Sequence, residues 1–246
     1  MLTLIRTPLV SVTLLSLTAF PSSASRKIPG KHKLIFPASS SKKLHAAKEI
    51  AWMDQFSSWQ LERAGISANL FRSAIRGFIR LSESGQLLNN RLLTLVDFSK
   101  PSTKERLFVI DLLTGKILYK TLVAHGRNSG TLFARNFSNN PSSYASSPGF
   151  YITGTVYNGK HGVSLRLRGC EKGINDLADE RAIVLHGAPY VSRDFIDRFG
   201  FLGRSQGCPA VPEEWAEPII KTIHSGSCLF VYTPQVRYHR KSAFAR

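Results

Sequence analysis

Cys208 lies in the segment GRSQGCPAVP (203–212), and His186 ends the apolar run of AIVLHGAPYV (182–191). A thiol attacks a carbonyl as its thiolate, so a reactive cysteine needs a neighbour able to take its proton. The glycines, serine and prolines around Cys208 keep the backbone bent and accessible, whereas a buried structural cysteine usually has apolar neighbours. A histidine placed where a strand runs into a glycine-containing loop is held by the sheet yet open to a cleft. The 21 residues between the two, which include RDFIDRFG, leave enough chain to fold back and bring imidazole and thiol together. Read from these residues alone, Cys208 is a candidate nucleophile, disulfide half or metal ligand.

Cys170, Cys208 and Cys228 make an odd count, so at least one thiol stays unpaired. A Cys170–Cys228 disulfide is one arrangement; two small buried hydrophobes is the other. There is no CxxC pair, and the spacings of His125, His161, His186 and Cys208 do not fit a usual zinc set. No metal or organic cofactor is therefore expected. His161 falls in the turn NGKHG, while His32, His45, His224 and His239 lie in leader, helix or tail contexts.

The elements that must position these residues are mostly short strands: 92–98, 106–112, 117–124, 149–157, 163–168, 182–187 and 228–234, each rich in β-branched and aromatic residues. Their close spacing predicts antiparallel pairing in a β-sandwich or barrel. LTGK at 113–116 joins two of them as a tight hairpin. Before them, Leu44, Ala47, Ala51, Trp52, Phe56 and Trp59 recur at helical spacing, and Gly65 ends that run. Ser67 suits the N-cap of a second helix with a broad apolar stripe, Leu70/Phe71, Ala74/Ile75 and Phe78/Ile79. The two form a small N-terminal helical hairpin over 44–90, packed on a domain at 91–234. A late helix at 212–226 should be kinked or divided by Pro218. Residues 25–43 read as a flexible leader and 235–246 as a solvated basic tail.

With 246 residues, 43% of them hydrophobic, the chain can bury one substantial core. MLTLIR, the apolar run PLVSVTLLSLTAF and the small residues PSSAS read as a signal peptide cleaved after Ala24, with an uncleaved anchor as the alternative. No other stretch approaches a membrane span. The net charge of +17 suits an anionic polymer such as cell wall, and also plain solubility. The basic residues are scattered and export argues against nucleic acid, so no nucleic-acid partner is expected.

AIVLHGAPYV followed by GRSQGCPAVP resembles the L,D-transpeptidases of peptidoglycan, with their YkuD-like catalytic domain: a strand-end His-Gly, a spacer, then Ser-x-Gly-Cys. VAHGRNSG (123–130), FSNNPSSYASSPGFYITG (137–154) and GVSLRLRGCEKGIN (162–175) extend the likeness to the murein L,D-transpeptidase catalytic-domain subfamily. The resemblance implies Cys208 as nucleophile, His186 as its base and the Gly187 carbonyl as the group that orients the imidazole. It implies the N–H groups of Gly207 and Cys208 as oxyanion donors, Ser205 as a brace of the loop and Arg204 as a guide for a substrate carboxylate. Gln206 and Ala210 depart from the histidine and polar residue that many relatives carry there. His125 is read as a cleft residue or a structural one, and Tyr190 as packing over the cleft or into the core. Asn128, Ser129, Asn136 and Ser138 either hold peptide stems or make ordinary turn bonds. The implied activity is transfer of a peptidoglycan stem peptide through a cysteine acyl-enzyme to an amine, by an exported monomer of the periplasm or envelope. An L,D-carboxypeptidase or endopeptidase using water, and a non-catalytic wall-binding protein, stay open beside it.

Overall fold

The computed structural model describes residues 38–245, with side chains from residue 43; the signal peptide and most of the leader read above lie outside the described residues. Helix α1 (Ala38–Ser58) begins within the segment expected to be leader. Helix α2 (Ala68–Glu83) starts where Ser67 Oγ accepts the Leu70 N–H at 3.3 Å, satisfying one of the free donors of the first turn. A bidentate pair from Arg76 to Glu49, at 2.8 and 2.9 Å, ties the two helices together. The stripe Leu70, Phe71, Ala74, Ile75, Phe78 and Ile79 is buried against the sheet. The regular stripe expected on α1 is not buried: Leu44 and Ala51 face solvent and only Phe56 is fully covered, because α2 lies between α1 and the sheet.

Eight strands follow: β1 (Asn89–Asp97), β2 (Leu107–Asp111), β3 (Ile117–Thr121), β4 (Gly149–Gly159), β5 (Gly162–Gly169), β6 (Val184–Gly187), β7 (Ala210–Val211) and β8 (Ser227–Tyr232). They form one sheet in the order β3-β2-β1-β8-β4-β5-β6-β7. Side chains alternate strictly across it. Leu93, Leu95, Phe108, Ile110, Phe150, Phe230 and Cys228 meet the helical hairpin, while Leu107, Val109, Tyr151, Leu229 and Val231 fill the opposite core. The sheet is nearly closed into a barrel, because the chain beyond β3 returns to β7: Ala124 N–H donates to Ala210 O at 2.8 Å, and Gly126 bridges Ser205.

The pairing is mixed and corrects the antiparallel expectation. β1 runs parallel to β8, and β6 parallel to β7. Parallel neighbours need a crossover connection. Helix α3 (Arg193–Phe199) lies in the connection from β6 to β7, and α4 (Glu213–Ile223) carries the chain from β7 to β8. Helix α4 is one helix despite Pro218, and so is not divided as expected. Burial of Ala216, Ile219, Ile220 and Ile223 holds it on the sheet, and Thr222 Oγ1 donates to the Pro218 carbonyl at 2.8 Å.

Two further expectations change. Residues 235–245 are not a solvated tail: α5 (Val236–Lys241) buries Tyr238, whose hydroxyl donates to Glu171 Oε1 at 3.0 Å, and Ser242 donates to the other carboxylate oxygen at 2.5 Å. A Cys170–Cys228 disulfide is excluded. Strands β5 and β8 flank β4 on opposite sides, which sets these cysteines about 10 Å apart, beyond the reach of an S–S bond. All three cysteines are free thiols.

The hairpin meets the sheet most closely at Gly77, where a Cβ would lie 2.1 Å from Phe150 Cζ. That ring is fully buried and stacked on Phe230 at 4.2 Å, so it cannot yield. Gly77→Ala is therefore expected to destabilise the fold by about 1–3 kcal/mol despite the better helix propensity of alanine, as read by urea denaturation.

Candidate active site

Residues 182–187 run into the barrel wall, and the register of β6 against β7 pairs His186 with Ala210 and Gly187 with Val211. That pairing lays the loop 203–209 along the mouth of β6. His186, Cys208, Ser205, Gln206, Arg204 and Tyr190 consequently line one cleft of about 550 Å³. His186 is buried, and its Nδ1–H donates to the Gly187 carbonyl at 2.7 Å, which leaves Nε2 as the nitrogen able to accept a proton. Gly187 itself is pressed against α4, since a Cβ there would lie 3.0 Å from Ala216 Cβ.

The Cys208 thiol accepts from the Val184 N–H at 3.5 Å and donates to the Ala182 carbonyl at 3.7 Å. It sits along the same face of the strand as His186 without being hydrogen-bonded to it. Burial pushes the thiol above its ordinary value of 9.0, opposed by the Val184 N–H and by the charges of Arg181 and Lys160. Burial likewise holds His186 below its ordinary 6.5, opposed by the Gly187 carbonyl and reinforced by His161 and Lys160. Both shifts favour the neutral thiol and the neutral imidazole.

Ser205 Oγ holds the loop from within. It accepts the Gly207 N–H at 3.0 Å and donates to the Cys208 carbonyl at 2.6 Å. In this structure the Gly207 N–H is thereby directed at Ser205 Oγ. The side chains of Arg204 and Gln206 are exposed at the cleft rim, Arg204 lying over Phe201 at 5.4 Å. The Tyr190 carbonyl accepts the Gly203 N–H at 3.0 Å, which fixes the start of the loop.

His125 is not a cleft residue. It is 1% exposed, its Nδ1 accepts from Arg106 Nη2 at 2.8 Å, and its Nε2–H donates to the Gly130 carbonyl at 3.1 Å. Its segment acts from behind the cysteine loop. The His125 carbonyl accepts the Ser205 N–H at 3.0 Å, Arg127 N–H donates to the Ser205 carbonyl at 2.8 Å, and Ser146 Oγ joins the Gly126 N–H to the Gly207 carbonyl. A Cβ on Gly126 would lie 2.9 Å from Gly207 Cα, so glycine permits this close approach. Asn128 donates to the Ser143 carbonyl, Ser129 Oγ accepts the Ser146 N–H and Ser138 Oγ accepts the Asn140 N–H, which is loop chemistry.

Residues that local sequence reading missed come from other strands. His161, at the tip of the β4–β5 hairpin, stacks on His186 with ring centroids 4.4 Å apart and planes 22° from parallel. Lys160 joins it in the cleft wall. Arg181, just before β6, also lines the cleft and is pinned to the Ser138 carbonyl at 2.7 Å. The register, which the sequence does not display, puts His161 there: Gly159 pairs Gly162, and Ser164 pairs His186, which brings the hairpin tip to that histidine. Among the described residues no three His, Cys, Asp or Glu side chains converge on a metal position.

Residues 62–232 match the family described as the L,D-transpeptidase catalytic domain, and the chain belongs to that family. Solved structures that match the chain in part include an L,D-transpeptidase from Mycobacterium smegmatis (13% identity, 58% of this chain and 59% of that one, TM-score 0.36). Others are one from Mycobacterium tuberculosis (13%, 58% and 58%, 0.38) and one from Stackebrandtia nassauensis (16%, 68% and 68%, 0.35). The chain spans less than two thirds of the length of the two mycobacterial structures. No curated protein matches the sequence.

Two pH dependences follow from the buried groups. His125 is held at about 4 by burial and by the Arg106 charge, against an ordinary 6.5, so the unfolded chain takes up its proton first. Its contribution to stability is present above pH 6.5 and is lost as pH falls toward 4, by up to about 3 kcal/mol. Urea denaturation at pH 7 and pH 4.5 should show a smaller acid loss in His125→Gln than in wild type. Alkylation of Cys208 by iodoacetamide should accelerate up to and beyond pH 9, with no plateau in the neutral range.

Proposed function

We propose that the protein is a peptidoglycan L,D-transpeptidase in which Cys208 carries the acyl group of a stem peptide. The observation that supports this most strongly is the placement of His186 and Cys208 in one cleft, with His186 Nδ1 bound to the Gly187 carbonyl. Nε2 takes the thiol proton, the thiolate sulfur bonds to the carbonyl carbon of the L,D peptide bond, and a tetrahedral oxyanion forms beside the Cys208 N–H. Collapse breaks the C–N bond. The departing D-amino acid takes the proton from the imidazolium, and a thioester on Cys208 remains. An amine of a neighbouring stem then attacks that thioester, its proton passes to His186, and the sulfur leaves as thiolate to complete a cross-link.

The cleft wall carries Lys160, Arg181 and Arg204 against the single acid Glu180, which suits a substrate bearing free carboxylates. Export of the chain, with residues 1–24 as the signal, would bring this cleft to the wall. Neither a metal nor a bound organic group has a part in the sequence of steps.

The test is incubation of the full-length protein, as processed by the cell, with a muropeptide tetrapeptide donor and an amine acceptor, followed by product mass analysis. Cross-linked dimer is expected from wild type, and none above background from Cys208→Ala or His186→Ala. A carbapenem should leave one covalent adduct on Cys208 in intact mass. Trimmed monomers without dimers would assign water as the acceptor, and sacculus binding without turnover would overturn the enzymatic reading.

A further inference from the structure

We propose that His161 is a positioning residue for the base: its imidazole, stacked on His186, fixes the ring plane from which Nε2 addresses Cys208. The inference rests on the assignment of His186 as the base. His186 has only two supports in its own segment, the strand backbone and the Nδ1–H bond to Gly187, and a single hydrogen bond allows the ring to swing about its axis. The face of the ring is covered instead by His161, with centroids 4.4 Å apart and a 22° tilt. Such a nearly parallel contact restricts the ring in the direction the hydrogen bond leaves free.

The contact is built into the sheet. Strand β5 pairs with β6 so that Ser164 lies opposite His186, and the β4–β5 turn reverses at Gly159 and Gly162, which sets His161 at the cleft mouth. Lys160 lies beside it. The other charged or titratable groups around His186 are Arg181 and Glu180 ahead of β6, Arg204 and Cys208 in the loop before β7, and Glu213 of α4 behind Gly187. Tyr157 and Tyr190 complete the wall. His161 is the one whose ring meets that of His186, so it acts on the base both as a surface and, when protonated, as a like charge.

Two variants separate these effects. His161→Phe keeps a flat ring without a titrating group, and His161→Ala removes both. NMR titration of the His186 imidazole in the free protein reads the contact whether or not the protein is a transpeptidase. The His186 midpoint is expected to rise in His161→Phe and to rise further in His161→Ala, where water also reaches the ring. The carbapenem acylation of Cys208 gives the second readout. The maximal acylation rate should fall by about 10- to 100-fold in His161→Ala, within the range typical of a misplaced catalytic group, and stay within about threefold of wild type in His161→Phe. The concentration for half-maximal rate should be little changed in either. An unshifted His186 midpoint in both variants, or equal rate losses in Phe and Ala, would overturn the proposal. Absence of acylation in wild type would instead overturn the assignment of the reaction, while the titration still decides the contact.

Discussion

The parallel pairing of β6 with the two residues of β7 is the constraint on which the site depends. It is a short contact, His186 against Ala210 and Gly187 against Val211, yet it places a histidine from one strand and a cysteine from the approach to the next along the same face. Neither residue could be brought there by local chain geometry, because α3 and its flanking loops separate them. The pairing is secured from both sides. Helix α4 closes on Gly187, whose missing side chain permits the approach, and the chain after β3 adds the Ala124–Ala210 hydrogen bond to the outer edge.

Behind this seam lies a polar core that would be costly to leave unsatisfied. Arg106 is fully buried without a carboxylate in direct contact, and it is held by the carbonyls of Val123 and Lys100 and by His125. His125 is neutral for the same reason, since a second positive charge beside Arg106 in a dry interior is unfavourable. The HGRNSG stretch thus turns a buried cation into backbone order, and that order reaches Ser205 and Gly207 through hydrogen bonds to the loop. The motif serves the chemistry at one remove, as the bed on which the cysteine loop rests.

Most strands were legible because each carries three or more β-branched, leucine or aromatic residues in a row or in alternation, and Ser67 marked the start of α2. Strand β7 was not, since Ala210 and Val211 read as part of the turn that follows Cys208. The direction of pairing was equally hidden: it is set by where α3 and α4 deliver the chain, and periodicity carries no sign of direction. The tail misled for a related reason. YHRKSAFAR is basic in composition, yet its tyrosine and Ser242 satisfy the buried Glu171, a partner 67 residues away from Tyr238. At the cleft, Cys208 and His186 stood out as candidates because their glycine and serine neighbours are local. His161 did not, because it reaches His186 across a strand pair whose register no run of residues displays.

The closure of the barrel has a consequence for its dynamics. Apart from the short β6–β7 pair, each strand is joined to its neighbours by a ladder of three or more residue pairs, but along the line from Ala124 and Gly126 to Ala210 and Ser205 the sheet is joined by isolated bridges. A cylinder parts first where its wall is thinnest, and here the thin line runs past the Cys208 loop. Breathing of the seam would loosen Ser205 and let the thiol turn without disturbing either hydrophobic core. The cohesion of the Cys208 loop with the rest of the wall thereby falls to individual bonds through Ser205, Ser146 and Arg127 in place of a continuous ladder.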